Sequence, residues 1–470
     1  MQTTAKRQGT ETNRQAFTRQ YRILLWGGVL LLSAGAVCTD TGKPSKTRSR
    51  LRLKLAPAAV EQAEPESTSQ DGPGTHQQAA VIRPIDEGTT QQLASFCLTK
   101  AGQLVALVRL QPEVGVHGAA PIDSNAKPAA ADAPPAEVRL LDADGKLLAK
   151  FPVDFAAQVI NVGVDGNIIV AGDGVLARFD REGKQLARAE APHLAAARQD
   201  PEAIERQARD AVLGQAQALT EALKQIEAQK KELDAKKEDE LTDEERELKA
   251  QVDSTIAAYR QAIDQIGGTS EAAQKAQIEQ MKQALLGQQR KINAIAAGPD
   301  HVFVTCAASK GFGYGVWRTD LDFANPVRIV DGLSGCCGQM DVQCCGAELV
   351  VAENSRHRVV RFDAEGKEIK AWGKRSRGGE GETFGGCCNP MNTRLLGDKL
   401  YVAESDGRVK LFSLDGEFLG LVGKANVQPG CKSSIVEVAP DGNTVYCFDV
   451  QQSSICVLKR QAPVGDQASK

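Results

Sequence analysis

The residues best suited to chemistry in this 470-residue chain are its twelve cysteines. Two adjacent pairs, Cys336-Cys337 and Cys387-Cys388, follow a Ser-Gly and a Gly-Gly step respectively. In both copies the second cysteine stands twelve residues before an apolar segment, which begins at Leu349 or at Leu400. This equal spacing predicts that the two pairs occupy the same place in two copies of one structural unit.

Three chemistries are open to this cluster, which also includes a cysteine at the start of a weaker third copy. Disulfides are expected if the chain is exported, and they would run between copies because adjacent cysteines rarely bond each other. Thiolates could instead hold a soft metal such as zinc or copper(I), although the spacings are not CxxC. A redox-active thiol cluster is the third alternative. The candidate metal ligands are Cys336, Cys337, Cys387, Cys388 and Cys431. Disulfides are the leading interpretation of these residues.

The rest of the chain offers no comparable site. The five histidines include no pair at metal-ligand spacing, and no CxxCH sequence is present for haem attachment. Gly378 to Gly381 lacks the strand, lysine and helix of a phosphate-binding loop, so a flexible connecting loop is expected there. The acidic residues cluster in predicted turns and helices, and no carboxylate pair can be assigned. We therefore predict no catalytic residue and no cofactor except a metal at the cysteines, which favours binding over catalysis.

The elements that must position the cysteines are repeats of short strands. Leu349 to Gly373 predicts three strands joined by tight turns, and Leu400 to Gly423 repeats the pattern. Val-Ala-Glu, for example, recurs at 351–353 and 402–404. A lone sheet of this size has open edges and a bare face, so it needs copies of itself beside it. A period of about 40–50 residues with several strands per copy is typical of a β-propeller blade.

The first of these repeats resembles a known family. Asn354-x-x-His357-Arg358-Val359-x-x-Phe362-Asp363-x-x-Gly366, followed by Trp372-Gly373, is similar to an NHL repeat. The resemblance implies a β-propeller, commonly six-bladed, that serves as a binding platform, and a structural role for His357. Where family members usually carry Pro-x-Gly before the inner strand, this chain has Cys-Cys. NHL-like lyases hold zinc through channel histidines, which the predicted inner strands here do not supply.

The predicted fold is mainly β: a six-bladed β-propeller with an inserted α-helical coiled-coil hairpin and an N-terminal signal or anchor helix. Blades 1 and 2 are assigned to residues 81–195 and blades 3 to 6 to residues 294–460, with a disordered tail at 461–470. A strand near Val81 to Ile85 is expected to close the ring by pairing with the last blade. The same turn of four blades is marked by Asp144-Gly145, Glu182-Gly183, Glu365-Gly366 and Asp415-Gly416.

The insertion, residues 196–293, is poor in Gly and Pro, and its apolar residues fall three, four and seven apart. This spacing indicates coiled-coil helices. Thr242-x-x-Glu245 is a capping box, and Ser270 can cap a further helix. Because the chain must return to the sheet, we expect an antiparallel hairpin. It either closes on its own seam or serves as a docking arm for a coiled-coil partner or a second copy of the chain.

Residues 1–38 predict export. The first 22 residues carry five Lys or Arg and one acid, and Ile23 to Val37 is largely apolar. This core is shorter than the roughly 20 residues of a bilayer span and is typical of a signal peptide. A cleaved signal, a retained membrane anchor and a lipoprotein at Cys38 are the alternatives, and each places the remainder in the cell envelope, the periplasm or outside. Residues 39–80 are expected to form a disordered tether.

The overall charge does not favour nucleic acid as a partner. The net charge is −3 and 25% of the residues are charged, so we expect no nucleic-acid binding. Together these features predict an exported, envelope-tethered propeller that binds an unknown protein or small ligand at its face. The alternative is a periplasmic metal-binding or thiol-redox protein that uses the cysteine cluster at the mouth of the propeller channel.

Overall fold

The computed structural model describes residues 74–110, 134–198, 200, 202–236, 241–265, 270–308, 313–336, 339–386, 388–428 and 434–462. The chain divides into two compact units, one of residues 50–200 with 287–470 and the other of residues 1–49 with 201–286. The signal or anchor predicted at 1–38 and most of the linker predicted at 39–80 lie outside the described residues.

The first unit contains six four-stranded antiparallel sheets. The first strand of the chain is β1 (His76–Ile82). Blade 1 contains β2 (Gln92–Leu98), β3 (Leu104–Arg109), β4 (Ala136–Leu141) and β5 (Leu147–Val153). Blade 2 contains β6 (Val159–Val162), β7 (Ile168–Gly172), β8 (Val175–Phe179) and β9 (Gln185–Glu190), and the short helix α1 (Pro192–Ala197) follows it. Blade 3 contains β10 (Ile292–Ala297), β11 (His301–Ala307), β12 (Tyr314–Asp320) and β13 (Val327–Leu333).

Blades 4 and 5 are the two clearest sequence repeats. Blade 4 contains β14 (Asp341–Cys345), β15 (Glu348–Glu353), β16 (Arg358–Phe362) and β17 (Glu368–Trp372). Blade 5 contains β18 (Asn392–Leu396), β19 (Lys399–Ala403), β20 (Arg408–Ser413) and β21 (Phe418–Lys424). Blade 6 contains β22 (Val436–Val438), β23 (Thr444–Asp449), β24 (Ser454–Arg460) and β1.

The six blades form a closed ring. Their first strands β2, β6, β10, β14, β18 and β22 contact one another in turn, and β22 contacts β2 again. A separate hydrophobic cluster fills each of the six interfaces between neighbouring blades. Most of these residues are Val, Leu, Ile and Ala, because aromatic residues make up only 4% of the chain. The architecture is therefore that of a six-bladed β-propeller, with the first strand of each blade lining a central channel.

Tight turns between the third and fourth strands of a blade account for the repeating Gly. In blade 4, Asp363 accepts hydrogen bonds from the backbone N–H groups of Glu365 and Lys367 at 3.1 and 2.8 Å. Gly366 follows with φ +84°, and a Cβ there would lie 1.8 Å from the carbonyl oxygen of Ile329 in the preceding blade. Only glycine satisfies both the positive φ and this close approach.

The ring is closed by β1, which pairs antiparallel with β24 from His76 opposite Arg460 to Ile82 opposite Ile455. The strand expected near Val81 to Ile85 therefore exists, but it begins at His76, inside the segment predicted as linker. Pairing the first strand of the propeller with the last blade covers the outer edge of β24, which would otherwise be exposed.

The second unit is helical. It contains α2 (Ala203–Asp234), α3 (Asp243–Gln265) and most of α4 (Glu271–Gln289). The helices α2 and α3 share a core of Leu219, Ile226, Leu233, Val252, Ile256 and Tyr259. Ion pairs join Glu227 to Arg260 and Asp234 to Lys249, at 2.7 and 3.2 Å, so the two helices run antiparallel.

The predicted capping box starts α3. The Thr242 N–H donates to Glu245 Oε2 at 3.0 Å, and the Glu245 N–H donates to Thr242 Oγ1 at 3.2 Å. Ser270 caps α4 more loosely, through the N–H of Ala273 at 3.4 Å. A supercoil between the helices stays a prediction. None of the helices in the described ranges has the length and hydropathy that a membrane crossing requires.

Closure by β1 predicts an asymmetry between two neighbouring substitutions. Ile82 is 6% exposed and packs in the interface between blades 6 and 1, whereas Val81 is 40% exposed. We expect Ile82→Ala to lower the free energy of unfolding by about 2–4 kcal/mol. Val81→Ala, the matched control, should change it by less than about 0.5 kcal/mol.

Urea unfolding followed by tryptophan fluorescence measures the difference. Trp317 and Trp372 lie in blades 3 and 4, and no tryptophan lies between residues 201 and 286, so the helices α2 and α3 contribute no tryptophan signal. Equal losses for the two variants would mean that β1 does not close the ring.

Candidate functional site

Polar side chains link the inner strands around the channel. Asp341 Oδ2 accepts hydrogen bonds from the Thr393 N–H and the Thr393 hydroxyl, both at 2.7 Å. Asn392 Oδ1 accepts from the Val436 N–H at 2.9 Å, and Asn161 Nδ2 donates to the Ile295 carbonyl at 2.7 Å. Each bond joins one blade to the next. The first strands of neighbouring blades belong to different sheets and exchange no backbone hydrogen bonds with each other. These side chains therefore bond backbone N–H and C=O groups that would otherwise be buried without a partner.

Two carboxyl groups are buried in this channel. Burial raises the pKa of Asp341 to about 6, against the opposing effect of the bonds from Thr393. Burial also raises the pKa of Glu437 to about 7; the charge of Asp341 adds to the rise and that of Arg394 opposes it. Arg394 Nε lies 2.9 Å from Glu437 Oε2, so the two side chains form an ion pair. Their relative orientation does not meet the angles of a hydrogen bond. The acids of the channel are therefore engaged by residues of neighbouring blades.

The middle of the channel is narrow. Its cavity is about 70 Å³ and is lined by all six inner strands. Gln339 Oε1 is buried there and has no hydrogen-bond partner among the described residues. A space of this size holds about two water molecules, which such a buried amide oxygen needs. The middle of the channel can therefore hold ordered water, and a larger ligand must bind elsewhere.

A wider cavity opens where the inner strands end. This basin, as we call it, has a volume of about 340 Å³. Its lining residues come from the carboxyl end of every inner strand and include Leu98, Lys100, Val162, Val164, Ala296, Cys344, Arg394, Leu396, Val438 and Pro440. The volume and the mainly apolar wall with a few polar groups are those of a small-molecule site. The sequence did not predict the basin, since its residues are scattered from blade 1 to blade 6.

The two described members of the predicted cysteine cluster, Cys336 and Cys388, lie before the inner strands β14 and β18, at the end of the channel opposite the basin. The Sγ atoms of Cys336 and Cys388 are 3.2 Å apart, although 52 residues separate them. Cys388 is buried and Cys336 is partly exposed. The structure therefore brings together two of the five predicted ligands from neighbouring blades. The other three, Cys337, Cys387 and Cys431, lie outside the described residues.

Buried asparagines fix the two loops that carry these thiols. Asn354 Oδ1 accepts the Cys336 N–H at 2.7 Å, and Asn354 Nδ2 donates to the Cys336 carbonyl at 3.3 Å. Next to Cys388, Asn389 Oδ1 accepts the Ser405 N–H at 2.7 Å. The backbone of Cys336 and the residue that follows Cys388 are therefore fixed by hydrogen bonds that do not involve the sulfurs.

Of the other described cysteines, Cys97, Cys306, Cys447 and Cys456 are buried. Burial raises the pKa of Cys306 and of Cys447, as expected for thiols on the inner faces of strands. Cys344 and Cys345 are the last two residues of strand β14 and are partly exposed. Within the described ranges, no group of three or more His, Cys, Asp or Glu side chains is arranged to hold a metal ion.

His357, for which the resemblance implied a structural role, lies in a tight turn of blade 4. It adopts φ +52° at the end of a short 3₁₀ turn, Asn354–Arg356, and its side chain is buried. Burial lowers the pKa of His357, which favours the neutral ring.

The repeated Val-Ala-Glu also positions the loops, a role that the sequence analysis did not assign. Its glutamates, Glu353 and Glu404, are fully buried. Glu353 Oε2 pairs with Arg358 Nε at 2.5 Å, and Glu404 pairs with Arg408 and Lys410 at 2.7 and 2.9 Å. The recurrence of Val-Ala-Glu, with an Arg-Val four or five residues after the Glu, was the available signal.

Lys410 holds the glycine-rich loop that follows blade 4. Its ammonium donates to the carbonyl oxygens of Gly379 and Thr383 and lies 5.3 Å from the ring centre of Phe384. Arg408 donates to the carbonyl oxygens of Gly378 and Gly379 at 2.8 and 2.9 Å. The loop expected to be flexible is therefore bonded at four carbonyl contacts.

Comparison with known proteins supports no family assignment. No family model matches the chain, and no curated protein matches it. Among solved structures, the Pan2 WD40 domain of Neurospora crassa is 8% identical, with 83% of this chain and 96% of that chain covered and a TM-score of 0.39. A gluconolactonase from Xanthomonas campestris is 11% identical, with 86% and 99% covered and a TM-score of 0.39. A calcium-binding regucalcin from Agrobacterium tumefaciens is 9% identical, with 82% and 96% covered and the same TM-score. The propeller assignment accordingly rests on the strand order and the closed ring.

The buried Glu437 predicts a pH dependence of stability. Its pKa is higher in the folded chain than in the unfolded chain, where the pKa of glutamate is about 4.3. Its contribution to stability is therefore complete below about pH 4 and is lost as the pH rises through about 7. Glu437→Gln cannot titrate. Between about pH 4.5 and 7.5 its free energy of unfolding should fall less than that of the native protein, by on the order of 2 kcal/mol.

Denaturant titrations at several pH values test this difference. Glu365→Gln, in an exposed turn of blade 4, is the matched control and should follow the native pH profile. If Glu437→Gln also follows the native profile, the carboxyl does not titrate differently on folding and the account of the channel charges is wrong.

Proposed function

We propose that this protein is an exported, envelope-tethered β-propeller that acts as a ligand-binding platform, with the basin as its ligand site. The observation that carries the proposal is the basin itself, a cavity of about 340 Å³ to which all six blades contribute. The NHL resemblance of blade 4 supports the same role, because propellers of that family act as binding platforms.

The chemistry of the channel favours binding over catalysis. Asp341 is engaged by Thr393, and Glu437 is paired with Arg394, so neither carboxylate is placed to attack or deprotonate a ligand in the basin. The cavity above them is too narrow for more than water. A ligand would bind at the mouth of the channel and leave unchanged.

Export and tethering belong to the proposal through the N-terminal sequence. Five basic residues precede the apolar segment Ile23 to Val37, and about forty mainly polar residues separate it from β1. That order is the one expected of a signal or anchor followed by a tether. The helical unit would then offer a second surface, for a coiled-coil partner or for self-association.

One experiment tests location and binding together. Cells that produce the full chain should yield it in the envelope fraction, whereas a chain lacking residues 2–37 should stay in the soluble fraction. Small molecules released from the purified protein by methanol are then identified by mass spectrometry. We expect a molecule that the native protein retains and that Val164→Asp loses, because the substitution places a charge in the apolar wall of the basin.

Val327→Asp is the matched control, since Val327 is also exposed but lies on an outer strand of blade 3. A molecule lost equally from both variants would place the ligand site outside the basin. Recovery of the full chain in the cytoplasmic fraction would contradict the export proposal, and recovery of an exported chain in a soluble fraction would contradict the tethering.

A second candidate function follows from the thiol pair. The 3.2 Å approach of Cys336 and Cys388 favours a metal-binding or thiol-redox role at the other mouth of the channel. Thiolates are ligands for zinc and copper(I), and the sequence places two further cysteines next to this pair and a third, Cys431, at the matching point before blade 6. A disulfide between the two is the structural alternative, with a bond length of ~2.05 Å.

Thiol counting and elemental analysis on protein purified without reductant separate these roles. The second candidate predicts a stoichiometric soft metal that is lost in Cys336→Ser and in Cys388→Ser. Cys306→Ser, a buried thiol of blade 3, is the control and should keep the metal. Nearly complete oxidation with no metal would reject a metal site, and peptide mapping would then show which cysteines are joined.

A further inference from the structure

We infer that the basin selects a small, mainly apolar molecule that carries a single negative charge. This inference rests on the proposed function, because it names the class of ligand for the same site.

The wall of the basin supplies the apolar part of the selection. Leu98, Val162, Leu396, Val438 and Pro440 line it from four blades. Val164 is 60% exposed at this site although it is a branched apolar residue. An apolar molecule seated here would remove this surface from water, which is favourable by about 25 cal/mol per Å².

The charges at the basin are of one sign. Lys100 and Arg394 are among its lining residues, and the described lining contains no Asp or Glu. Four carboxylates lie in the turns that follow the inner strands. Asp300 and Asp398 are exposed and are not among the lining residues of the basin, and the other two have partners. Asp165 bonds Asn167 at 2.7 Å and lies 3.9 Å from Arg178, and Asp441 bonds Asn443 at 3.1 Å.

Of the two cations, Lys100 is the one available to a ligand. Arg394 is paired with Glu437, so its charge is balanced inside the channel. Lys100 forms no ion pair among the described residues, and its turn is fixed by bonds from Gln103 and Gly102 to Thr99. One unbalanced cation at the edge of an apolar cavity fits one anionic group on the ligand.

A pair of fluorescent dyes tests the inference on the full chain. 1-Anilinonaphthalene-8-sulfonate is apolar with one negative charge, and N-phenyl-1-naphthylamine has the same rings without the sulfonate. We expect the sulfonate dye to bind more tightly. Lys100→Gln should weaken its binding by about two- to fivefold and leave the neutral dye unchanged. Added salt should weaken only the sulfonate dye.

Two control variants locate the effect. Val164→Asp should weaken both dyes, because it changes the apolar wall itself. Lys184→Gln is the matched lysine control, since Lys184 is exposed in an outer turn of blade 2 and should leave both dyes unaffected.

The outcomes separate this inference from the proposed function. Equal affinities for the two dyes, insensitive to Lys100→Gln but reduced by Val164→Asp, would overturn the anion selectivity and leave the basin as a ligand site. Binding of both dyes that Val164→Asp does not change would overturn the basin as the site, and with it the proposed function.

Discussion

The propeller depends on how its innermost strands are held together without a shared sheet. Strands of one blade exchange backbone hydrogen bonds, but the first strands of adjacent blades meet around the channel with no such ladder. Buried side chains replace it: Asp341 bonds Thr393 of the next blade, and Asn392 bonds the backbone of Val436. These polar groups leave the middle of the channel narrow and fix the directions of the strand ends, and those ends form the basin. The ligand site is therefore a consequence of how the ring is closed.

Buried charged side chains fix the loops between blades, as buried polar side chains fix the inner strands. Glu353 and Glu404 recur at one place in blades 4 and 5, and each is neutralised by cations of its own blade. Such pairs add little net stability compared with apolar residues of the same size. Removing one partner is costly, however, because it leaves an unpaired buried charge. Lys410 shows the benefit of the arrangement, since its ammonium fixes the carbonyl oxygens of the glycine-rich loop that leads towards Cys388.

Local signals in the sequence predicted the blades, because turns and strand alternation act over few residues. The Asp363 to Gly366 turn and the Thr242–Glu245 capping box are both present as expected. The start of β1 was not predictable, because His76-Gln-Gln reads as linker and becomes a strand only through pairing with β24. The basin was not predictable either, because it also depends on contacts between distant parts of the chain. Lys100 and Leu396 line the same cavity only when the ring closes. The cysteine spacing did predict that sulfurs from different blades converge, as Cys336 and Cys388 do.

The central claim, that ligands bind where the six inner strands end, is tested most directly by hydrogen–deuterium exchange of the full chain with and without the anionic dye. The account predicts slower exchange in the peptides that contain the turn at Thr99 to Gly102, the turn after β6 and the end of β18. Exchange in the helices α2 and α3 should stay the same. Protection confined to those helices, or to the loops around Cys336 and Cys388, would contradict the claim.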